Sequence, residues 1–256
     1  MMGILSLEKV TKSFGGIRAN DEVTFSVMEG EILGIIGHNG AGKTTLFNVI
    51  TGRPKPDKGS IIFKGEDITG LTSAKVAAKG IARTFQISTL FNKMTVYQNI
   101  NVAHYLFIRN AFWKYILNTR SVQNKEKDIH QRTERVIDFF GLHALRDELA
   151  ESLPYGYQRA LGISIAMASE PKLLLLDEPV VGMNETETAE MIDHIRRIRD
   201  MGITIVMIEH DMKALMGVSD RVVALGAGRK IAEGTPAEIQ NNKAVIESYL
   251  GKEEDF

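Results

Sequence analysis

The sequence predicts an α/β protein carrying a helical insertion, and three patterns lead to it. Short apolar runs that end in glycine or in acids, EILGIIG at 31–37 and LLLLDEP at 173–179, read as strands buried on both faces. Segments with apolar residues at three- and four-residue spacing follow them, the pattern of helices packed on a sheet. From about 88 to 169 strand alternation disappears and helical spacing takes over. A chain of 256 residues allows one large domain or two small ones, with ample length for a core.

In chain order, ILSLEKVTKSF and VTFSVM alternate apolar and polar residues, the mark of half-buried strands. EILGIIG then forms a buried strand, and TTLFNVITG a helix that stops at Gly52. GRPKPDKG at 52–59 is a turn-rich loop before the strand SIIFKG. In the helical part, TVYQNINVAHYLF and KEKDIHQRTERVIDFFGL are amphipathic, the second ending at Gly141. Between them HYLFIRNAFWKYIL concentrates aromatics with only Arg109 and Lys114 among them, suited to packing within the insert, to docking on a partner or to lying near a bilayer surface. ALGISIAMASEP is a further helix, with LPYGYQR as its lead-in. LLLLDEP and ITIVMIEH are buried strands, separated by ETETAEMIDHIRRIRDMG, whose early acids and late bases match the helix dipole. DRVVALGAGRKIAEG reads as a hairpin around GAG, and NKAVIESYLG as a closing helix.

Composition narrows the function. Lys and Arg total 31 against 32 Asp and Glu, a net charge of −1, which argues against a nucleic-acid partner. There is no cysteine, which removes disulfides, thiolate metal sites and cysteine nucleophiles. The longest aliphatic run is the four leucines 173–176, far short of the roughly 18 residues of a membrane span. MMGILSLEKV lacks the basic lead and long apolar stretch of a signal peptide.

Residues 37–44, GHNGAGKT, fit G-x-x-x-x-G-K-[ST] between an apolar strand and a helix. In that setting the glycines turn backbone N–H groups inward around phosphate oxygens. Lys43 reaches the terminal phosphates, the Thr44 hydroxyl suits Mg²⁺, and the helix points its positive end at the anion. Asp177 and Glu178 close the buried run LLLLDE. An aspartate there supports the metal of a P-loop NTPase. The next residue points the other way along a strand, so Glu178 is placed to take a proton from an attacking water. The rival reading makes the two acids caps for the following helix.

The order of these motifs resembles the ATP-binding-cassette (ABC) ATPases over essentially the whole chain. GHNGAGKT looks like their Walker A loop, and LLLLDE like Walker B with its catalytic glutamate. Gln86 in ARTFQ matches the Q-loop, LPYGYQR the signature, VVGMN at 180–184 the D-loop and His210 the switch histidine. The resemblance implies one ABC ATPase domain over 1–256: a P-loop α/β core with an antiparallel β subdomain, and a helical subdomain at about 88–169. It implies ATP and Mg²⁺, with Gly37, His38, Asn39, Gly40, Ala41, Gly42, Lys43, Thr44 and Thr45 on the phosphates and Phe14 stacked on adenine. Tyr155 and Gly156 would meet the nucleotide through the signature. Thr44, Gln86 and Asp177 would serve the metal, and Glu178, His210 and Gln86 hydrolysis.

GIARTFQ, LF-x-x-MTVYQNI, the YG of the signature, IEHDM and EGTPAEI are similar, more narrowly, to the larger ATPase subunit of Liv-type branched-chain amino acid importers. That likeness implies integral membrane permease subunits and a second ATPase subunit, a heterodimer in preference to a homodimer. It also implies a periplasmic or extracellular binding protein reached indirectly, and a peripheral place on the cytoplasmic face of the cell membrane. Other cargoes, urea or lipopolysaccharide, and a non-transport ABC role are the rivals. The chain departs from the usual pattern at Pro154, Tyr155 and Tyr157 in the signature and at Asn184 in the D-loop.

Overall fold

A computed structural model describes residues 3–84, 90–107 and 120–250. Gln86 and the centre of the aromatic run, with Trp113, lie outside the described residues. The chain divides into two compact units, residues 1–83 with 172–256, and 84–171.

The first unit holds two sheets. One is antiparallel, in the order β2-β1-β4-β5, from β1 (Leu5–Phe14), β2 (Ile17–Val27), β4 (Lys58–Phe63) and β5 (Glu66–Asp67). The other has the order β10-β9-β3-β8-β7-β6. Its members are β3 (Ile32–Ile36), β6 (Ile81–Arg83), β7 (Leu173–Asp177), β8 (Thr204–Ile208), β9 (Arg221–Gly226) and β10 (Arg229–Gly234). All neighbours in it are parallel except the β9–β10 hairpin.

Between the sheets runs α1 (Lys43–Ile50). Leu46, Phe47, Val49 and Ile50 join one core with Leu5, Leu7 and Phe25 of the antiparallel sheet. From the parallel sheet the same core takes Leu33 and Ile35, Leu173 and Leu175, Val206 and Ile208, Val223 and Leu225. These pairs stand two residues apart because a strand turns alternate side chains to one face. The intervening Ile32, Leu174, Leu176, Ile205 and Met207 are fully buried too, so the runs carry no polar alternation. Each fully buried large aliphatic contributes about 1.5–3 kcal/mol of transfer free energy. α2 (Ser73–Ala78) precedes β6, and α6 (Glu185–Asp200) and α7 (Met212–Val218) flank β8 in sequence. The unit closes with α8 (Pro236–Gln240) and α9 (Lys243–Leu250).

The second unit is helical: α3 (Val96–Phe107), α4 (Arg120–Phe139) and α5 (Tyr155–Met167) pack on one another. Val96, Ile100, Ile129, Ile137, Leu161 and Ile163 form its interior. Asn99, fully buried, ties the 91–95 turn to α3: its amide donates to the carbonyls of Phe91, Met94 and Thr95 and accepts the Phe91 N–H.

The sequence places LPYGYQR before a helix, and the structure corrects this. The helix begins at Tyr155, so YGYQR forms its first turns, with Pro154 as N-cap and the Gln158 N–H bonded to the Pro154 carbonyl at 3.1 Å. Proline's fixed φ suits that boundary, and the N-cap amide it lacks would have no partner within the helix. The short elements β5, α2, β6 and α7 carry too few residues to show a period, and sequence patterning misses them.

Candidate active site

Parallel strands put their carboxyl ends on one edge of a sheet, where ligands of such folds bind. Here β3, β8 and β7 are neighbours, and their ends deliver residues 37–44, Glu209 with His210, and Asp177 with Glu178.

The 37–44 loop is shaped by its glycines. Gly42, the N-cap of α1, sits at φ 97°, and a Cβ there would stand 2.2 Å from the Ala19 carbonyl oxygen. Gly37 has φ 151°, and its Cβ would meet the Leu225 carbonyl at 2.4 Å. No side chain fits at either place. The loop is braced from outside: the Asn20 amide of β2 donates to the Gly42 carbonyl at 3.1 Å, and the Gly228 N–H of the β9–β10 turn donates to Ala41 at 3.2 Å. Ala41 is buried, whereas Asn39, Gly40 and Thr44 are exposed, with His38 and Thr45 half-buried. The His38 ring contacts the Asn39 carbonyl at 2.6 Å.

Lys43 is 6% exposed, and its Nζ donates to the carbonyls of Gly37 at 2.5 Å and His38 at 3.2 Å. Burial lowers its pKa, opposed by the charges of Glu178 and Asp177 nearby. The ammonium is thus folded back on the loop that α1 starts from, available for exchange onto a stronger acceptor.

Asp177 and Glu178 take different partners, as the strand geometry requires. Arg83 of β6 donates to Asp177 Oδ2 at 2.6 Å and to the Asn48 amide oxygen of α1 at 2.6 Å. Its guanidinium lies 5.5 Å from the Phe47 ring centre. Glu178 stands just past β7 at φ 51°, a left-handed conformation unusual outside glycine, and its N–H donates to the Ile208 carbonyl at 2.9 Å. Its Oε1 accepts from His210 Nε2 at 2.9 Å. A carboxylate only accepts, so this contact places the imidazole proton on Nε2.

Glu209 was not singled out from the sequence. It is 2% exposed, and its two oxygens accept backbone N–H groups: Val180 at 2.7 Å, His210 at 2.9 Å and Asp211 at 3.4 Å. Burial raises its pKa, partly offset by these three amides and reinforced by the charge of Glu178. The available signal was a glutamate directly after the four apolar strand residues 205–208. Arg83, Asn48 and Asn20 were also missed, since nothing local marks a polar residue whose partner lies dozens of positions away. Tyr249 of α9, itself exposed, reaches the Gly37 backbone amide.

Phe14 ends β1 half exposed, with Lys12 Nζ 5.6 Å from its ring centre and bonded to Asp57 at 2.7 Å. The structure therefore gathers the 37–44 loop, Asp177, Glu178 and His210 at one sheet edge. Tyr155 and Gly156 belong to the helical unit. There Tyr155 opens α5, its hydroxyl accepting Arg159 Nη2 at 2.7 Å, and Pro154 supplies no side-chain cap bond. Asn184, in place of the usual D-loop aspartate, caps α6 in a reciprocal box with Glu187, each side chain accepting the other's N–H at 3.0 Å.

A family model described as "ABC transporter" matches residues 20–181. This chain belongs to the ABC transporter ATPase family. A second model, "Branched-chain amino acid ATP-binding cassette transporter", matches residues 229–255. The ATPase is 38% identical over 250 residues to the high-affinity branched-chain amino acid transport ATP-binding protein LivG of Escherichia coli, covering 97% of this chain and 98% of that one. BraF of Pseudomonas aeruginosa, named for the same transport, gives the same figures. The lipopolysaccharide export ATP-binding protein LptB of Haemophilus influenzae is 32% identical over 98% of this chain and 99% of its own. A solved nucleotide-free cassette from an ABC transporter superposes with a TM-score of 0.86 at 31% identity, over 98% of this chain and all of the other. The ADP form of such a cassette gives 0.86 at 30% identity, with the same coverage. The ATPase binds and hydrolyses ATP, and among its described residues no helix is long and apolar enough to cross a membrane.

Proposed function

We propose that this ATPase powers a membrane importer of branched-chain amino acids. The observation that carries the hydrolytic part is the convergence of Lys43, Asp177, Glu178 and His210 at the carboxyl ends of β3, β7 and β8. The cargo rests on the named transport of LivG and BraF, which align along nearly the whole chain, and on the carboxyl-terminal match at 229–255. LptB is also similar along the chain, at lower identity, and makes lipopolysaccharide export the second reading.

In this reading the loop amides and Lys43 hold the phosphates, Thr44 and Thr45 open the helix beneath them, and Phe14 stacks on adenine. The donors fit Mg²⁺: an exposed threonine hydroxyl and the Asp177 carboxylate are hard oxygen ligands. Among the described residues no three His, Asp or Glu cluster into a metal site of their own. A bound Mg²⁺ would neutralise charge on the phosphate oxygens. Thr44 and Asp177 would be its protein ligands, together with Gln86, which lies outside the described residues. Glu178 accepts the proton of the attacking water as the oxygen bonds to the γ-phosphorus. The bond to the bridging oxygen breaks and ADP keeps the electron pair. His210, hydrogen-bonded to Oε1, holds the base in line and fixes which oxygen is free.

The whole chain forms a single ABC domain, whose helical unit brings Tyr155 and Gly156 to the ATP of a second ATPase subunit, in a heterodimer in preference to a homodimer. Permease subunits bind the pair at the cytoplasmic face of the membrane, and a periplasmic or extracellular binding protein delivers the cargo. Reconstitution of this ATPase with its permease subunits, second ATPase and binding protein in vesicles tests the proposal. ATP-dependent uptake of labelled leucine is expected. Full ATP turnover with no uptake of leucine, isoleucine or valine overturns the cargo and leaves the ATPase standing.

A further inference from the structure

Glu209 is a buried carboxylate without a cationic partner among the described residues, which calls for an account. Transferring a carboxylate out of water is costly unless hydrogen bonds replace its hydration. Three backbone amides do so here, from two separate stretches of chain. Oε1 takes the Val180 N–H at 2.7 Å, in the segment that follows the two acids of β7. Oε2 takes the N–H groups of His210 and Asp211, at 2.9 and 3.4 Å, in the segment that follows β8.

We propose that Glu209 is a positioning residue for hydrolysis, a bridge that locks the Glu178 segment to the His210 segment. The bonds form a closed ring. Glu178 reaches His210 through their side chains at 2.9 Å, and His210 reaches the Glu209 carboxylate through its backbone. The carboxylate then reaches Val180, two residues beyond Glu178, where the ring closes. A ring tied at both ends leaves the Glu178 carboxylate little freedom to swing. It also holds Glu178 in its left-handed backbone conformation, which free loops do not keep.

The bridge requires a carboxylate. Both segments present only donors, and an ionised glutamate has two acceptor oxygens and no hydrogen. Glutamine keeps the size but offers one oxygen, so its NH₂ group confronts an N–H on one side. One tie survives and the other is lost. Asp211, whose own side chain caps α7 by accepting the Ala214 N–H at 2.9 Å, extends the ordering into the next helix.

The inference rests on Glu178 as the base, and the test separates the two ideas. Glu209→Gln in the full chain is expected to lower kcat about tenfold, with KM for ATP and binding of a fluorescent ATP analogue unchanged. In a Glu178→Gln background the same substitution is expected to cost nothing further, because it acts through that base. An unchanged kcat in Glu209→Gln, or a full multiplicative loss in the double variant, overturns the bridge. If Glu178→Gln itself turns over ATP at the wild-type rate, the reading of the base fails instead. Should Glu209→Gln not fold, amide exchange in the wild-type chain decides. Slow exchange at Val180 and His210 supports the bridge, and exchange at the rate of an open loop overturns it.

Discussion

At the scale of residues, the site divides its acidic side chains by partner. Asp177 and Glu178 are adjacent in sequence, yet one is held by Arg83 and the other by His210. Glu178→Gln keeps shape and hydrogen bonding but no longer accepts a proton. Turnover is expected to drop by roughly 10²–10⁴ while nucleotide binding survives, read by phosphate release and by an ATP-analogue titration. Lys43→Ala is expected to show the reverse order of loss, with phosphate binding gone first. Arg83 gives a stability prediction. Its side chain is 8% exposed and that of Asp177 17%, so removing the guanidinium takes a close cationic partner from a largely buried carboxylate. Arg83→Ala is expected to cost about 3 kcal/mol. That lowers Tm by roughly 6–12 °C, measurable by thermal unfolding, since each kcal/mol moves a domain of this size about 2–4 °C.

At the scale of elements, helix starts do much of the placing. α1 begins at a left-handed glycine, and this puts Lys43 and Thr44 in its first turn beside the loop amides. α6 begins at Asn184, whose reciprocal bonds with Glu187 fix the end of the 180–184 segment. Asn184→Ala is expected to cost about 1 kcal/mol, or roughly 2–4 °C in Tm. Asn184→Asp, which preserves the accepting oxygen, is expected to leave Tm within about 1 °C. Thermal unfolding of the two variants side by side checks both. An equal loss in both means that the side-chain amide, not the cap oxygen, is what the helix needs. α5 begins at Pro154 with the first three amides, of Tyr155, Gly156 and Tyr157, lacking intrahelical acceptors as at any helix start. The hydroxyl missing from this signature is therefore not the only donor its segment offers.

At the scale of the molecule, buried titratable groups set the response to pH. His104 is 5% exposed, and burial lowers its pKa from 6.5, with the Arg132 charge acting the same way; burial also lowers that of His194. A histidine whose folded pKa is depressed stays neutral in the native state while the unfolded chain takes up the proton. Stability is then lost as pH falls below about 6.5 and on through the lower folded value. Asp21, lowered chiefly by its bond to Arg229, and Asp57, lowered by Lys12, add losses of the same sign at still lower pH. Glu209 works in the opposite sense, because a raised folded pKa favours the native state as pH falls. Tm is expected to decline as pH is lowered from 7 toward 5, and His104→Phe to flatten that decline. An unchanged slope in the variant removes His104 as a source of it.

Much of this was legible in the sequence because it is encoded by neighbours. The runs 31–37 and 173–179 declared buried strands, since a strand covered on both faces tolerates no polar alternation. GHNGAGKT declared a phosphate loop, since its glycines and the lysine act within one turn of chain. The order of the motifs sufficed for family and fold class. What only the tertiary structure decided is the partner of each polar group. Arg83 finds Asp177 across 94 residues, Asn20 finds Gly42 across 22, and Glu209 finds Val180 across 29. A hydrogen bond needs two atoms within about 3 Å, and sequence patterning records only which face a residue prefers. Sheet order turns those preferences into contacts. By laying β8 between β3 and β7, it brings the ends of strands far apart in the chain to one edge, where their acids, lysine and histidine meet.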